Sequence, residues 1–231
     1  MWVEVFLCLL AAHLIADYIL QDNSICRDKT EKKWRSKYQY GHAVMVFLLS
    51  WLVVWDIHFW WFAIILGVSH LVIDIWKSYR EDSVSWFIID QVMHLLVIGL
   101  VSWLWVSNNL WHTPLGIRVD YLAVINAAIL CWKPANILVK LTLKHYSVNM
   151  PKEDAKGFNA GALIGTIERW LILIFVCLHR FDALGLLVAA KSIIRFSDKD
   201  TDKTEYVLAG TLLSIFIAVV SGLLLSCLLA K

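Results

Sequence analysis

The chain has 231 residues, of which 60% are hydrophobic and thirteen are tryptophan, and its mean hydropathy of +0.66 lies outside the range of soluble domains. A formal net charge of only +2 excludes the strongly basic character of a nucleic-acid binder. The five cysteines are scattered without a C-x2-C pair, which excludes a disulfide framework and a thiolate metal site.

Composition and pattern predict an all-α, polytopic transmembrane helical bundle. The first apolar run, Trp2 to Leu20, is interrupted by Glu4, His13, Asp17 and Tyr18, and its nineteen residues just suffice for ~30 Å of hydrocarbon. It has no basic n-region and no small-residue cleavage site, so it is expected to be a retained span. The polar stretch Gln21 to Tyr40 carries Arg27, Lys29, Lys32, Lys33, Arg35 and Lys37 and marks the cytoplasmic side; its charges are expected to be solvated among lipid headgroups. Gly41 to Trp55 returns across the membrane, Phe59 to Trp76 is the third span, and Val84 to Val106 the fourth. A fifth, Tyr121 to Leu141, holds Lys133 and Pro134 and is expected to kink or break there. Ala160 to Leu178, Phe181 to Phe196 and Tyr206 to Ala230 complete about eight spans, or seven if 181–196 is a half-membrane hairpin.

Eight spans leave nearly every lysine and arginine inside, with only Arg118, Arg180 and Lys231 outside, so both termini are expected to be periplasmic in an inner membrane. The expected organisation is a four-span bundle over 1–106, a connecting region with span five over 107–159, and a C-terminal helical segment over 160–231.

Seven side chains stand out. His13-x3-Asp17 and His70-x3-Asp74 repeat one spacing, Asp90-x3-His94 reverses it, and His42 opens another apolar run. Residues four apart share a helix face, and the lysine-derived topology puts all seven in one layer at the cytoplasmic ends of the first four spans. Buried carboxylates call for a compensating cation, and imidazole with carboxylate is a ligand set for zinc foremost, or for manganese or iron. His13, Asp17, His42, His70, Asp74, Asp90 and His94 are therefore the candidate ligands of one or two divalent metals. A pair roughly 3.5 to 4 Å apart would activate water for hydrolysis of a phosphate ester or amide, with Asp17, Asp74 and Asp90 as candidate catalytic carboxylates. A metal-free proton relay and plain helix packing are the competing readings. His58, His112, His145 and His179 are read as helix-packing hydrogen-bond donors.

A second cluster, Arg169, Lys191 and Arg195, is either an anion clamp for a substrate phosphate or a set of interhelical ion pairs with Glu168 and Glu205. Gly161-x3-Gly165 is read as a close helix contact.

The stretches AHLIADYILQ, GHAVMVFLL, SHLVIDIWK and DQVMHLL resemble a bacterial integral-membrane family classified only as a domain of unknown function. GALIGTIERWLILIF, GLLVAAKSIIRF and EYVLAGTLLS are similar to the segment that accompanies that domain in many members. More remotely, the first half resembles the LexA-regulated, membrane-bound, metal-dependent hydrolases, which implies a metal-dependent hydrolase acting on a lipid. The leading expectation is thus an integral-membrane hydrolase at the cytoplasmic face with a phosphorylated lipid or similar ester as substrate. A metal-ion or proton transporter and a metal-stapled structural or signalling module are the alternatives. Membrane lipid is the expected partner, with a second copy of the chain as another.

Overall fold

The computed structural model describes residues 2–108, 118–146, 160–195 and 201–230, with backbone alone at 160, 194–195 and 201–206. His112, the side chains of Arg195 and Glu205, and most of the polar stretch 144–159 lie outside the described residues. All regular structure among the described residues is helical. The helices are α1 (Trp2–Leu14), α2 (Asn23–Lys32), α3 (Lys37–Val54), α4 (Trp60–Ser78), α5 (Val84–Ser107), α6 (Val119–Leu130), α7 (Lys133–His145), α8 (Ala160–Cys177), α9 (Phe181–Arg195) and α10 (Thr201–Leu229).

The chain divides into two compact units, Met1–Asn126 and Ala127–Lys231. The division falls inside α6, within the region expected to connect the two halves.

In the first unit α1, α3, α4 and α5 enclose a core of Val5, Leu9, Phe59, Leu66, Ile98 and Trp105. Trp105 is fully buried, and Phe59 and Phe62 meet its ring edge to face at centroid distances of 5.1 and 5.4 Å. Helix α4 shows how the bundle is solvated. Its inner face is Ala63, Leu66, Gly67, His70 and Ile73, while Ile64, Ile65, Val68 and Val72 point outward. A helix that hides its polar and small residues and shows its branched apolar ones suits lipid rather than water.

Sequence sets the turns between these helices. Asp22 caps α2 by accepting hydrogen bonds from Ser24 N and Ile25 N, both 2.9 Å. On the exposed side of α2, the Lys32 ammonium and the Ser36 hydroxyl hydrogen-bond to Asp28 and hold its carboxyl below the usual range. Helix α3 ends on Trp55 in the left-handed conformation, at φ 53°. Asp56 then starts the next turn by accepting from His58 N at 2.8 Å, and the exposed His58 ring stays on the same carboxylate.

Close approach is concentrated at two glycines outside the G-x3-G expected from the sequence. A Cβ on Gly67 would lie 3.0 Å from Ala43 O and 3.1 Å from Phe47 Cβ, and one on Gly222 would lie 2.9 Å from Val176 Cβ. Gly161 faces open space, and a Cβ on Gly165 would meet only the end of the Arg169 side chain. The small-residue spacing alone does not say which glycine another helix crosses. Gly67→Ala should therefore destabilise the first unit by about 1–3 kcal/mol, because the Ala43 carbonyl is backbone and cannot swing aside. Thermal unfolding of the purified variant in detergent measures this.

The second unit packs Ile172 and Val176 of α8 against Ala218 of α10, with Leu184 and Leu187 of α9 beside them. The break expected near Pro134 is present: α6 stops at Leu130 and α7 starts at Lys133 with the proline in its first turn.

Among the described residues, five stretches are long and apolar enough to cross a membrane: Trp2–Ile19, Ile57–Ser78, Val84–Ser107, Val119–His145 and Val207–Leu229. This fits a membrane protein but not the full count of eight crossings. Helix α3 opens on Lys37, Tyr38, Gln39 and Tyr40, α8 carries Glu168 and Arg169 at mid-length, and α9 has only 15 residues.

Candidate functional site

Four helices and one irregular turn converge on the His/Asp residues. His13 lies in the last turn of α1, and Asp17 in the turn that follows it. His42 is in the second turn of α3, His70 and Asp74 are in the second half of α4, and Asp90 and His94 are in the first half of α5. All seven side chains meet inside the first unit, and His13, His42, His70, Asp90 and His94 are each at most 5% exposed.

The turn that carries Asp17 is a π-helical segment, Ile15–Ile19, closed by Leu20 N donating to Ile15 O at 3.0 Å. A π turn holds an extra residue per loop and shifts the register that an α-helix would impose. Here it turns Asp17 away from its i−4 partner: Asp17 Oδ2 is 3.8 Å from His13 Nε2, while Asp17 Oδ1 is 3.0 Å from His42 Nε2 and 3.3 Å from His70 Nε2.

His42 Nε2 and His70 Nε2 are themselves 2.9 Å apart. Three donor atoms from three segments thus point at one spot, with edges of 2.9, 3.0 and 3.3 Å. Donors ~2.1 Å from one ion stand ~3.0 Å apart in octahedral and ~3.4 Å apart in tetrahedral coordination. The triangle has those dimensions. Asp74 Oδ2 follows at 3.7 Å from His70 and 3.9 Å from His42.

Among the described residues, three overlapping groups have donor atoms close enough to hold an ion: His13, Asp17 and His70; His42, His70 and Asp74; and Asp74, Asp90 and His94. Several buried atoms there have no hydrogen-bond partner, namely His13 Nε2, His42 Nδ1, His94 Nε2 and Asp90 Oδ1. The rings of His13 and His94 stack at 4.8 Å, and those of His70 and His94 lie 4.3 Å apart. Next to His13, His70 and His94 is a cavity of about 10 Å³, lined also by Ser50 and Ser69, with room for about one water.

Sequence reasoning missed two residues of this site. Lys29 of α2 is 6% exposed, and its Nζ donates to Asp74 Oδ2 at 2.7 Å and to Gln21 Oε1 at 2.8 Å. Lys77 Nζ donates to Asp90 Oδ2 at 2.5 Å, where Gln91 Nε2 also donates at 2.9 Å. Lys77 was legible, because it follows Asp74 by three residues and His70 by seven on one helix face. Lys29 carried no such signal. It is the one buried residue of an otherwise polar helix, 45 positions from its partner.

The second cluster belongs to the second unit. Lys191 pairs with Glu168. Arg169 is 2% exposed and donates to Cys131 O at 2.6 Å, Asn136 Oδ1 at 2.6 Å and Ser214 Oγ at 2.8 Å, with longer bonds to Thr166 Oγ1 and Trp132 O. It joins α8 and α10 to the α6–α7 break, and both cations have protein partners rather than facing an open anion site.

A comparison with protein-family models matches residues 5–122, just over half of the chain and the whole of the His/Asp cluster, to one family. No curated protein and no solved structure matches the chain. The chain belongs to the family described as "Protein of unknown function (DUF3307)".

Proposed function

We propose that the first unit is a divalent-metal centre within the membrane and that the protein is a metal-dependent hydrolase, acting at the cytoplasmic face on a phosphorylated lipid or similar ester. The observation that carries this reading is the triangle of Asp17 Oδ1, His42 Nε2 and His70 Nε2, whose edges of 2.9 to 3.3 Å are those of donors sharing one ion. Nitrogen and carboxylate donors suit zinc, manganese or iron. An ion so held would lower the pKa of a bound water and polarise a phosphoryl oxygen.

The residues divide the work. Asp17, His42 and His70 would hold the ion, with His13 and Asp74 near enough to add to its ligands. Asp90 keeps one oxygen on Lys77 and the other unpartnered, which suits a general base. The lysines and arginines of the connecting loops support a reading in which this end of the bundle faces the cytoplasm in a bacterial inner membrane, near the depth of the lipid headgroups.

Elemental analysis of protein purified in detergent without chelator tests the metal. Wild type should carry zinc, manganese or iron, and His70→Ala/Asp74→Ala should carry none. Wild type without metal would leave a proton relay or a packing network in its place. The transport alternative draws on one observation, the cavity beside His13 and Ser50, but its volume of about 10 Å³ suits about one water and its lining includes the apolar Leu9, Val46 and Leu66. Metal uptake by proteoliposomes holding the wild-type protein would favour transport over hydrolysis.

A further inference from the structure

Two of the three carboxylates in the cluster already face a cation supplied by the chain. Lys29 Nζ is 2.7 Å from Asp74 and Lys77 Nζ is 2.5 Å from Asp90. Asp17 alone faces only imidazoles at that range. Resting on the metal reading above, we propose that Lys29 and Lys77 stand where the second cation of a binuclear centre would stand, so that the site takes one divalent ion at Asp17, His42 and His70 and not two.

Charge supports this. Imidazoles that bind a metal are neutral, so three carboxylates against two ammonium groups leave one negative charge. One divalent ion brings the cluster to one positive charge; a second brings it to three, in surroundings where like charges repel far more strongly than in water. A residual single positive charge also selects the companion ligand. It suits one monoanion, the charge of a phosphodiester or of a deprotonated water. Space agrees, because the cavity beside His13 and His94 has room for about one water rather than for a second hydrated ion.

The same count predicts the behaviour of lysine variants. Lys29→Met leaves two negative charges, which one divalent ion neutralises. Lys29→Met/Lys77→Met leaves three, so two ions produce the same single positive charge that one ion produces in wild type. The test is titration of the full-length protein in detergent with Mn2+, reading bound metal by elemental analysis and spin coupling by electron paramagnetic resonance. Wild type should saturate at one uncoupled ion per chain. Lys29→Met should bind its ion about tenfold more tightly or better, because a competing cation beside Asp74 is gone. The double variant should reach two ions that couple magnetically.

Saturation of wild type at two ions overturns this inference and leaves the metal centre standing. Weaker binding by Lys29→Met also overturns it, since Lys29 would then be orienting Asp74 as a ligand. A double variant that folds and still stops at one ion does the same. Wild type that binds no metal removes the proposed function together with the inference. Where loss of Lys77 leaves Asp90 too strongly charged for folding, the wild-type count and Lys29→Met carry the test.

Discussion

Asp17→Asn is expected to strip the centre of its metal while leaving the protein folded in the membrane. The substitution keeps the side-chain shape and one carbonyl oxygen, but it removes the negative charge and adds an NH2 group facing two imidazole nitrogens at 3.0 and 3.3 Å. Loss of an outer partner of a metal ligand alone costs ~10–100-fold in affinity, and in the proposed centre Asp17 would be a ligand itself, so the drop should exceed ~100-fold. Hydrolysis of any lipid phosphate should fall with it. Two measurements on one preparation decide the matter: metal content and thermal unfolding with and without added metal. In wild type, added metal should raise the unfolding temperature, because an ion that binds only the folded state stabilises it; in Asp17→Asn it should not. A relay or packing network predicts the opposite pattern, with no metal response in either protein and a stability change confined to the lost His42 and His70 contacts.

How the site is written in the chain explains what could be read from it. The spacing of four between histidine and aspartate is a property of one helix, so three of the four site-bearing segments were legible directly. The joint position of the seven in one layer was legible because lysine and arginine distribution orders the spans. The π turn at Ile15–Ile19 was not, since nothing in Ile-Ala-Asp-Tyr-Ile distinguishes a π register from an α register, and the partner that Asp17 meets there, His42, lies on another helix. Lys29 illustrates a second limit. Its charge reads as a cytoplasmic marker, yet the helix between Asp22 and Lys33 folds back and delivers that charge to Asp74. A residue can report topology and complete a site at once, and hydropathy sees only the first role.

The second unit repeats that lesson with the opposite outcome. Arg169 was legible as an intramembrane cation, which by default points to function, but its contacts point to architecture. Arg169→Met should destabilise the second unit by about 3–5 kcal/mol, because it removes a buried side chain that satisfies several polar groups at once. The groups left behind include the carbonyl of Cys131, which lies in the break between α6 and α7, whereas the Trp132 carbonyl keeps the Asn136 N–H at 3.1 Å. Cys131 is fully buried, so lipid offers that carbonyl no substitute donor. Arg169→Lys should recover little of the loss. One ammonium group cannot reach Cys131, Asn136 and Ser214 together, whereas the guanidinium fork reaches all three at 2.6 to 2.8 Å. Thermal unfolding in detergent, followed by circular dichroism, reads the stability. Metal binding by the first unit in conditions where both variants remain folded provides the control, and it should be unchanged. An anion clamp predicts the reverse, in which Arg169→Met keeps its unfolding temperature and loses affinity for a phosphorylated lipid. The hydrogen bonds of Arg169 to neutral acceptors favour the first result, since a guanidinium held by the backbone of a broken helix has few donors left to offer a phosphate.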